Sequence, residues 1–164
     1  MPPHVHLTAE PLDGPVAARL VEDLVADLCR RYDPHGGGAP LDPRAFSPPT
    51  GTFLVAWCDG RPAGCGGLRT VRPGVGEVKR MWVDPAVRGR GLARLVLAGL
   101  EQAGPELGHT RLLLETGTLQ PEALQLYASA GWSRTPPYGE WRESPLSVCF
   151  ARDLLVQDLS AGAL

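Results

Sequence analysis

Residues 83–104 read VDPAVRGRGLARLVLAGLEQAG, so Arg88, Gly89, Arg90 and Gly91 stand directly before an apolar-periodic run. A helix entrance carries unpaired N–H groups and the positive end of the helix dipole, which together form a natural phosphate cradle. Glycines let phosphate oxygens approach the amides, and arginines add charge-assisted hydrogen bonds worth about 1.5–3 kcal/mol each. A diphosphate fits such an end. Two familiar diphosphate motifs do not match it. There is no Gly-Lys pair for a P-loop, and Arg94 stands where GxGxxG needs a third small residue.

The strand-like VKRMWVDP (78–85), followed by Arg88-x-x-Gly91-x-Ala93 and an amphipathic helix, resembles motif A of the GCN5-related N-acetyltransferases (GNAT). Downstream, ALQLYASAGW (123–132) is similar to the family's Ala-x-x-Leu-Tyr-x-x-x-Gly-Phe signature. Upstream, CDGRPAGCGGLR (58–69) looks like its hairpin. The likeness spans roughly Thr52 to Leu155. Three positions depart from the commoner pattern. Ala93 replaces Gly, Trp132 replaces Phe, and Gln120 stands where many members have a cofactor-bonding Asn.

The resemblance implies acetyl-CoA as cosubstrate and direct transfer of the acetyl group to a primary amine in a ternary complex. The pyrophosphate would lie on Arg88, Gly89, Arg90, Gly91, Leu92 and Ala93, with Gln120 as a further contact. Backbone amides of Met81, Trp82 and Val83 would face the acetyl and pantetheine groups at a strand bulge. Tyr127 would be the acid that protonates the leaving thiolate. An alkylammonium, with a pKa near 10.4, also needs a base. Glu77 is the first candidate, because four residues separate it from Met81 and an unbroken strand would put both on one face. An ion pair with Lys79 or an Arg is the other use of that carboxylate, and Glu115 is the second candidate base. The acceptor pocket would be built from RRYDPHGGGAPLDPRAF (30–46) and TPPYGEWRESP (135–145). Glu140, Glu143, Tyr138 and Trp141 suit a cation. Arg30, Arg31 and Arg142 suit a carboxylate. A non-catalytic acyl-CoA-binding module, or a protein Lys or N-terminal acetyltransferase, are the competing functions.

These residues must be held by a framework, and the chain is long enough for one: 164 residues suit a single domain, expected over 1–164. A net charge of −2 gives no general attraction to nucleic acid or anionic membrane, so neither is expected as a partner. No apolar run spans a bilayer and no secretory leader stands out, which points to the cytoplasm. A homodimer is left open. Cys29, Cys58, Cys65 and Cys149 form no CxxC pair and read as reduced thiols. His4, His6, His35 and His109 are scattered, so no metal is expected.

Hydrophobic period and turn residues give the order β-α-loop-β-β-β-α-β-α-β. A hairpin turn is expected at Asp59-Gly60, a helix over Gly89–Ala103 stopped by Gly104-Pro105, and a short helix near Leu41–Phe46. The expected fold class is α/β, with a mixed, mostly antiparallel central sheet flanked by helices.

Overall fold

In the computed structural model, which describes residues 1–34 and 38–155, one seven-stranded sheet organises the chain. The elements are β1 (Val5–Ala9), α1 (Pro15–Arg31), β2 (Gly51–Cys58), β3 (Arg61–Arg72), β4 (Val75–Val83), α2 (Leu92–Glu106), β5 (Arg111–Gly117), α3 (Pro121–Ser129), β6 (Ser133–Thr135) and β7 (Ser147–Asp153). A short 3₁₀ turn at Pro43–Phe46, capped by the Asp42 carboxylate, stands near the expected short helix. The spatial order is β1-β2-β3-β4-β5-β7-β6, and every pair is antiparallel except β4 with β5. No helix among the described residues is long and apolar enough to cross a membrane.

The longer elements follow from their local patterns. The β2–β3 hairpin closes at Asp59-Gly60, both with positive φ (50° and 78°), as a two-residue hairpin turn requires. Pro15 opens α1, and Ala17, Leu20 and Leu24 bury its inner face. Helix α2 buries Leu92, Val96, Leu97, Leu100 and Gly104. Leu95, on the same helix, is exposed.

The boundaries of α2 differ from the sequence expectation at both ends. Gly89 and Gly91 have φ near +80°, outside the helical region, so the helix begins only at Leu92. Pro105 sits inside the last turn rather than stopping the helix, which closes with the Leu107 N–H on the Ala103 carbonyl. Strand β6, three residues long, was too short to leave a periodic signal.

Two apolar layers sandwich the sheet. On one face α2 and α3 pack over Leu68, Val78, Leu112, Leu114 and Phe150. On the other, α1 and the 3₁₀ turn cover Phe53, Val55 and Cys65. Each fully buried Leu or Val contributes about 1.5–3 kcal/mol of transfer free energy. The functional cleft opens where this layered packing is interrupted.

Candidate active site

Parallel strands β4 and β5 pair only from Val75 to Val78 and from Arg111 to Leu114. Beyond Lys79 and Glu115 they separate, and a cavity of about 840 Å3 opens between them. A bulge in β4 drives the separation. Cys65 faces Trp82 and Gly67 faces Lys79, so Arg80 and Met81 together oppose Gly66 alone. Arg80 takes a left-handed φ of 58°, unusual for a residue with a Cβ. Gly66 makes the bulge possible, since a Cβ there would stand 2.5 Å from the Met81 sulfur.

The bulge corrects the strand-parity argument for Glu77. Glu77 and Lys79 lie on the face of Arg69 and Trp82, toward α1. Met81 lies on the opposite face, against the α2 layer. The alternation that would have placed Glu77 beside Met81 is broken between them. Met81, Trp82 and Val83 all line the cleft, along an edge of β4 that has no partner on β5.

The phosphate-like end of the cleft is the start of α2. Its first intrahelical bond is Leu95 N–H to the Gly91 carbonyl, which leaves the N–H groups of Leu92, Ala93 and Arg94 without an intrahelical acceptor. No side chain caps them and the first turn holds no acid. Gly91 supplies the left-handed N-cap, and space is open beside it. These features fit an anion. Gly89, Gly91, Leu92, Ala93 and Arg94 line the cleft here, whereas the exposed Arg90 does not.

Arg88 borders the same cleft but its guanidinium is committed elsewhere. It donates to the Val83 carbonyl (2.9 Å) and to Asp27 of α1 (3.2 Å). Asp27 also accepts from the Trp82 indole (3.3 Å) and pairs with Arg31 (3.5 Å). Burial pushes the Asp27 carboxyl up, but the hydrogen bonds from Arg88 and Trp82 and the charges of Arg31 and Arg88 outweigh it and hold the carboxyl below its ordinary value. Arg31 reaches on to Glu122 and the Leu119 carbonyl, and the Tyr32 hydroxyl accepts from Leu119 N–H and from Gln120 (3.4 Å). The C-terminal end of α1 thus clasps both sides of the strand separation.

At the centre, Tyr127 is buried and lines the cleft, with ring neighbours Trp132 and Phe150. Among the described residues its hydroxyl has no hydrogen-bond partner, and burial together with the Glu115 charge raises its pKa well above the ordinary phenol value. Glu115 lines the cleft from β5. Burial raises its pKa, the charges of Glu77 and Glu140 add to that, and a hydrogen bond from Ser147 and the charge of Lys79 work against it.

Glu77 stands behind this wall, its side chain only 4% exposed. One oxygen accepts both Nε (3.0 Å) and Nη2 (2.8 Å) of Arg69, and the other accepts the Tyr138 hydroxyl at 2.6 Å. The Tyr138 phenol is raised in turn by burial and by that carboxylate.

The α1 side of the cavity is lined by Leu24, Leu28 and Leu41 and by Glu140 and Trp141. Arg69, Lys79 and Arg80 line it as well, and the sequence reading missed all three as pocket residues. The only sequence signal was period two: Glu77 and Lys79 alternate, and Arg69 must pair across to Glu77. Of the expected cations, Arg30 and Arg31 are held by Asp27, and Arg142 is exposed away from the cavity. Cys65 is no nucleophile: burial pushes its thiol up to about 12, and it donates to the Arg80 carbonyl. Among the described residues no three His, Cys, Asp or Glu side chains gather around a metal position, and His35 lies outside those residues.

Comparison with known proteins agrees with this geometry. The family model for the acetyltransferase (GNAT) family matches residues 19–132. An IAA acetyltransferase of Azospirillum brasilense is 35% identical over 93% of this chain and 99% of its own length. An uncharacterized N-acetyltransferase, YsnE, of Bacillus subtilis is 29% identical over 92% of this chain and all of its own. Among solved structures, one described as an acyl-CoA N-acyltransferase from Klebsiella pneumoniae superposes with a TM-score of 0.77 at 27% identity, covering 92% and 98% of the two chains. The yncA acetyltransferase of Salmonella typhimurium, crystallised with acetyl-CoA, shares the fold at a TM-score of 0.69 and 17% identity, over 96% and 97% of the chains. The chain belongs to the GNAT family of acetyltransferases.

Proposed function

We propose that the protein transfers an acetyl group from acetyl-CoA directly to the primary amine of a small molecule, both substrates being bound at once. The observation that carries this is the cleft itself, with free helix amides at one end and Tyr127 and Glu115 lining it further along. Relatives named as acetyltransferases, and neighbours crystallised with acetyl-CoA, support the same donor.

Acetyl-CoA, when bound, supplies a thioester whose C–S bond is exchanged for an amide C–N bond and whose sulfur leaves as a thiolate. The amides of Leu92, Ala93 and Arg94 hold the pyrophosphate, with Gly91 setting their direction. Arg88 holds α1 against that loop rather than reaching the phosphates itself. The unpaired edge of β4 over Met81–Val83 offers N–H groups to charge developing on the acetyl oxygen.

Glu115 takes the proton from the incoming ammonium, directly or through water. Its raised pKa makes it a stronger base than an ordinary carboxylate. Glu77, whose carboxylate already accepts three hydrogen bonds, tunes Glu115 through its charge rather than meeting the amine. Tyr127, like any phenol, is protonated at neutral pH, and its raised pKa keeps it so at more alkaline pH, in the donating state for the leaving sulfur.

The test is release of free thiol from acetyl-CoA across a panel of primary amines, alongside calorimetric binding of acetyl-CoA. Turnover with a small amine supports the reading. Tight binding without turnover on any amine, free or in a peptide, would make the domain a non-catalytic acyl-CoA binder.

A further inference from the structure

The acceptor side of the cavity sets cations beside the carboxylates Glu115 and Glu140, and so is not the purely anionic wall that a simple alkylammonium would favour. On the α1 face of the sheet, Arg69 and Lys79 both approach one carboxylate, Glu77, with Lys79 Nζ at 3.8 Å from the same oxygen that Arg69 binds. Glu77 lies behind them and does not line the cavity, while both cations do. Two positive charges on this stretch of wall are thus backed by one carboxylate, with Glu115 and Glu140 lining the cavity beside them. Arg80 lines the same wall.

Lys79 is the decisive group. Its side chain is 15% exposed, and 3.8 Å is too long for a hydrogen bond to Glu77. Among the described residues its ammonium makes no hydrogen bond, and the Trp141 ring lies 5.5 Å away. Beyond hydrogen-bond distance of Glu77 and facing the cavity, the ammonium has donors free to take a carboxylate that enters it. Glu115, on the neighbouring strand, feels the Lys79 charge, so the anion site and the proposed base lie close together. A diamine or longer polyamine would set its second ammonium against Lys79 and Arg69, which like-charge repulsion opposes.

We infer that the acceptor is an aminocarboxylic acid, its carboxylate held by Lys79 with Arg69 and its amine presented to Glu115. Trp141 and Leu41 offer apolar surface for the rest of the molecule. The inference rests on the acetyl-transfer reading and names its substrate class. A peptide Lys or N-terminal amine carries no free carboxylate at that distance, so the site disfavours protein acceptors.

The experiment pairs aliphatic and aromatic α-, β- and γ-amino acids with the amines that lack the carboxyl group, measuring kcat/KM by thiol release with the unmodified protein. At least one amino acid should exceed its decarboxylated partner by about 10²-fold, because only the carboxylate can take charge-assisted hydrogen bonds from this cationic wall. Lys79→Met keeps the stem and deletes the charge. It should narrow that preference about tenfold or more, lowering kcat/KM for the amino acid further than for its partner.

Decarboxylated amines used as well as or better than every amino acid would overturn the inference while leaving acetyl transfer intact. So would an equal loss on both members of a pair in Lys79→Met. Absence of turnover with either class, while acetyl-CoA still binds, would remove the catalytic reading and the inference with it. Should Lys79→Met fail to fold, the paired panel on the parent protein decides alone.

Discussion

Removing one oxygen from Tyr127 separates packing from chemistry. Tyr127→Phe keeps the ring beside Trp132 and Phe150, at centroid distances of 6.1 and 5.7 Å, and deletes only the hydroxyl. We expect kcat to fall by about 10²–10⁴, the range for a lost general acid, with acetyl-CoA affinity nearly unchanged by calorimetry. An unaltered kcat would reduce Tyr127 to a core residue. The two glutamates make a second residue-scale prediction. If Glu115 is the base, Glu115→Gln removes the acidic limb of the kcat/KM profile. Glu77→Gln should instead shift that limb to lower pH, because the Glu77 charge helps to raise the Glu115 pKa and its removal also uncovers Arg69 and Lys79. Acceptors of different basicity must be compared, since the amine's own pKa shapes the same limb. A limb lost in Glu77→Gln and kept in Glu115→Gln would reverse the two roles.

At the scale of elements, α1 acts on the cosubstrate loop through Asp27. Arg88 and Asp27 are 61 residues apart in sequence, yet their ion pair joins the acceptor helix to the entrance of α2. If Arg88 serves by holding that contact, Arg88→Met and Asp27→Asn should weaken acetyl-CoA binding by similar factors. The double variant should then lose little more than either single one, a coupling of about 0.5–3 kcal/mol. Additive losses, or a loss in Arg88→Met alone, would mean that Arg88 meets the phosphates itself. This pair also marks the limit of what the sequence discloses. The glycines at 89 and 91 and the tyrosine at 127 carry their meaning in local spacing, so the helix entrance and the acid candidate were legible. The destination of the Arg88 side chain was not, nor was the Tyr138 hydroxyl on Glu77, also 61 residues away, because no local pattern encodes a partner brought by tertiary packing. The bulge at Arg80 was hidden for a different reason. Inside VKRMWV it reads as an ordinary strand residue, and only the opposed Gly66 hints that two residues must share one partner. One extra residue there moved Met81 to the other face and separated it from Glu77.

For the molecule as a whole, the closed end of the sheet holds a group that links stability to pH. His109 lies between α2 and β5 and is fully buried beside Gly76 at the start of β4. Its Nε2 is 2.8 Å from the Thr70 hydroxyl, which itself donates to the Thr50 carbonyl at 2.8 Å. That hydroxyl has one proton and has already used it, so the histidine must donate from Nε2 and leave Nδ1 as the bare nitrogen. Nδ1 is buried without a partner, so a proton added there would find no acceptor. Burial accordingly lowers the His109 pKa below its ordinary 6.5. The unfolded chain then binds a proton more readily than the folded one, and stability rises with pH between the two pKa values. The native state should be fully stable, with respect to this group, above about pH 6.5, and should lose stability as pH falls below that toward the lower folded value. Carboxylates such as Asp27 act in a separate window, since their contribution is lost only at more acidic pH. His109→Gln retains a donor for Thr70 and cannot titrate. Urea unfolding from pH 7.5 to 5 should therefore show a decline in the parent that is smaller in His109→Gln, with the two curves drawing together as pH falls. Parallel curves across that range would show that His109 keeps the same protonation behaviour folded and unfolded, and that the bare Nδ1 is satisfied by water.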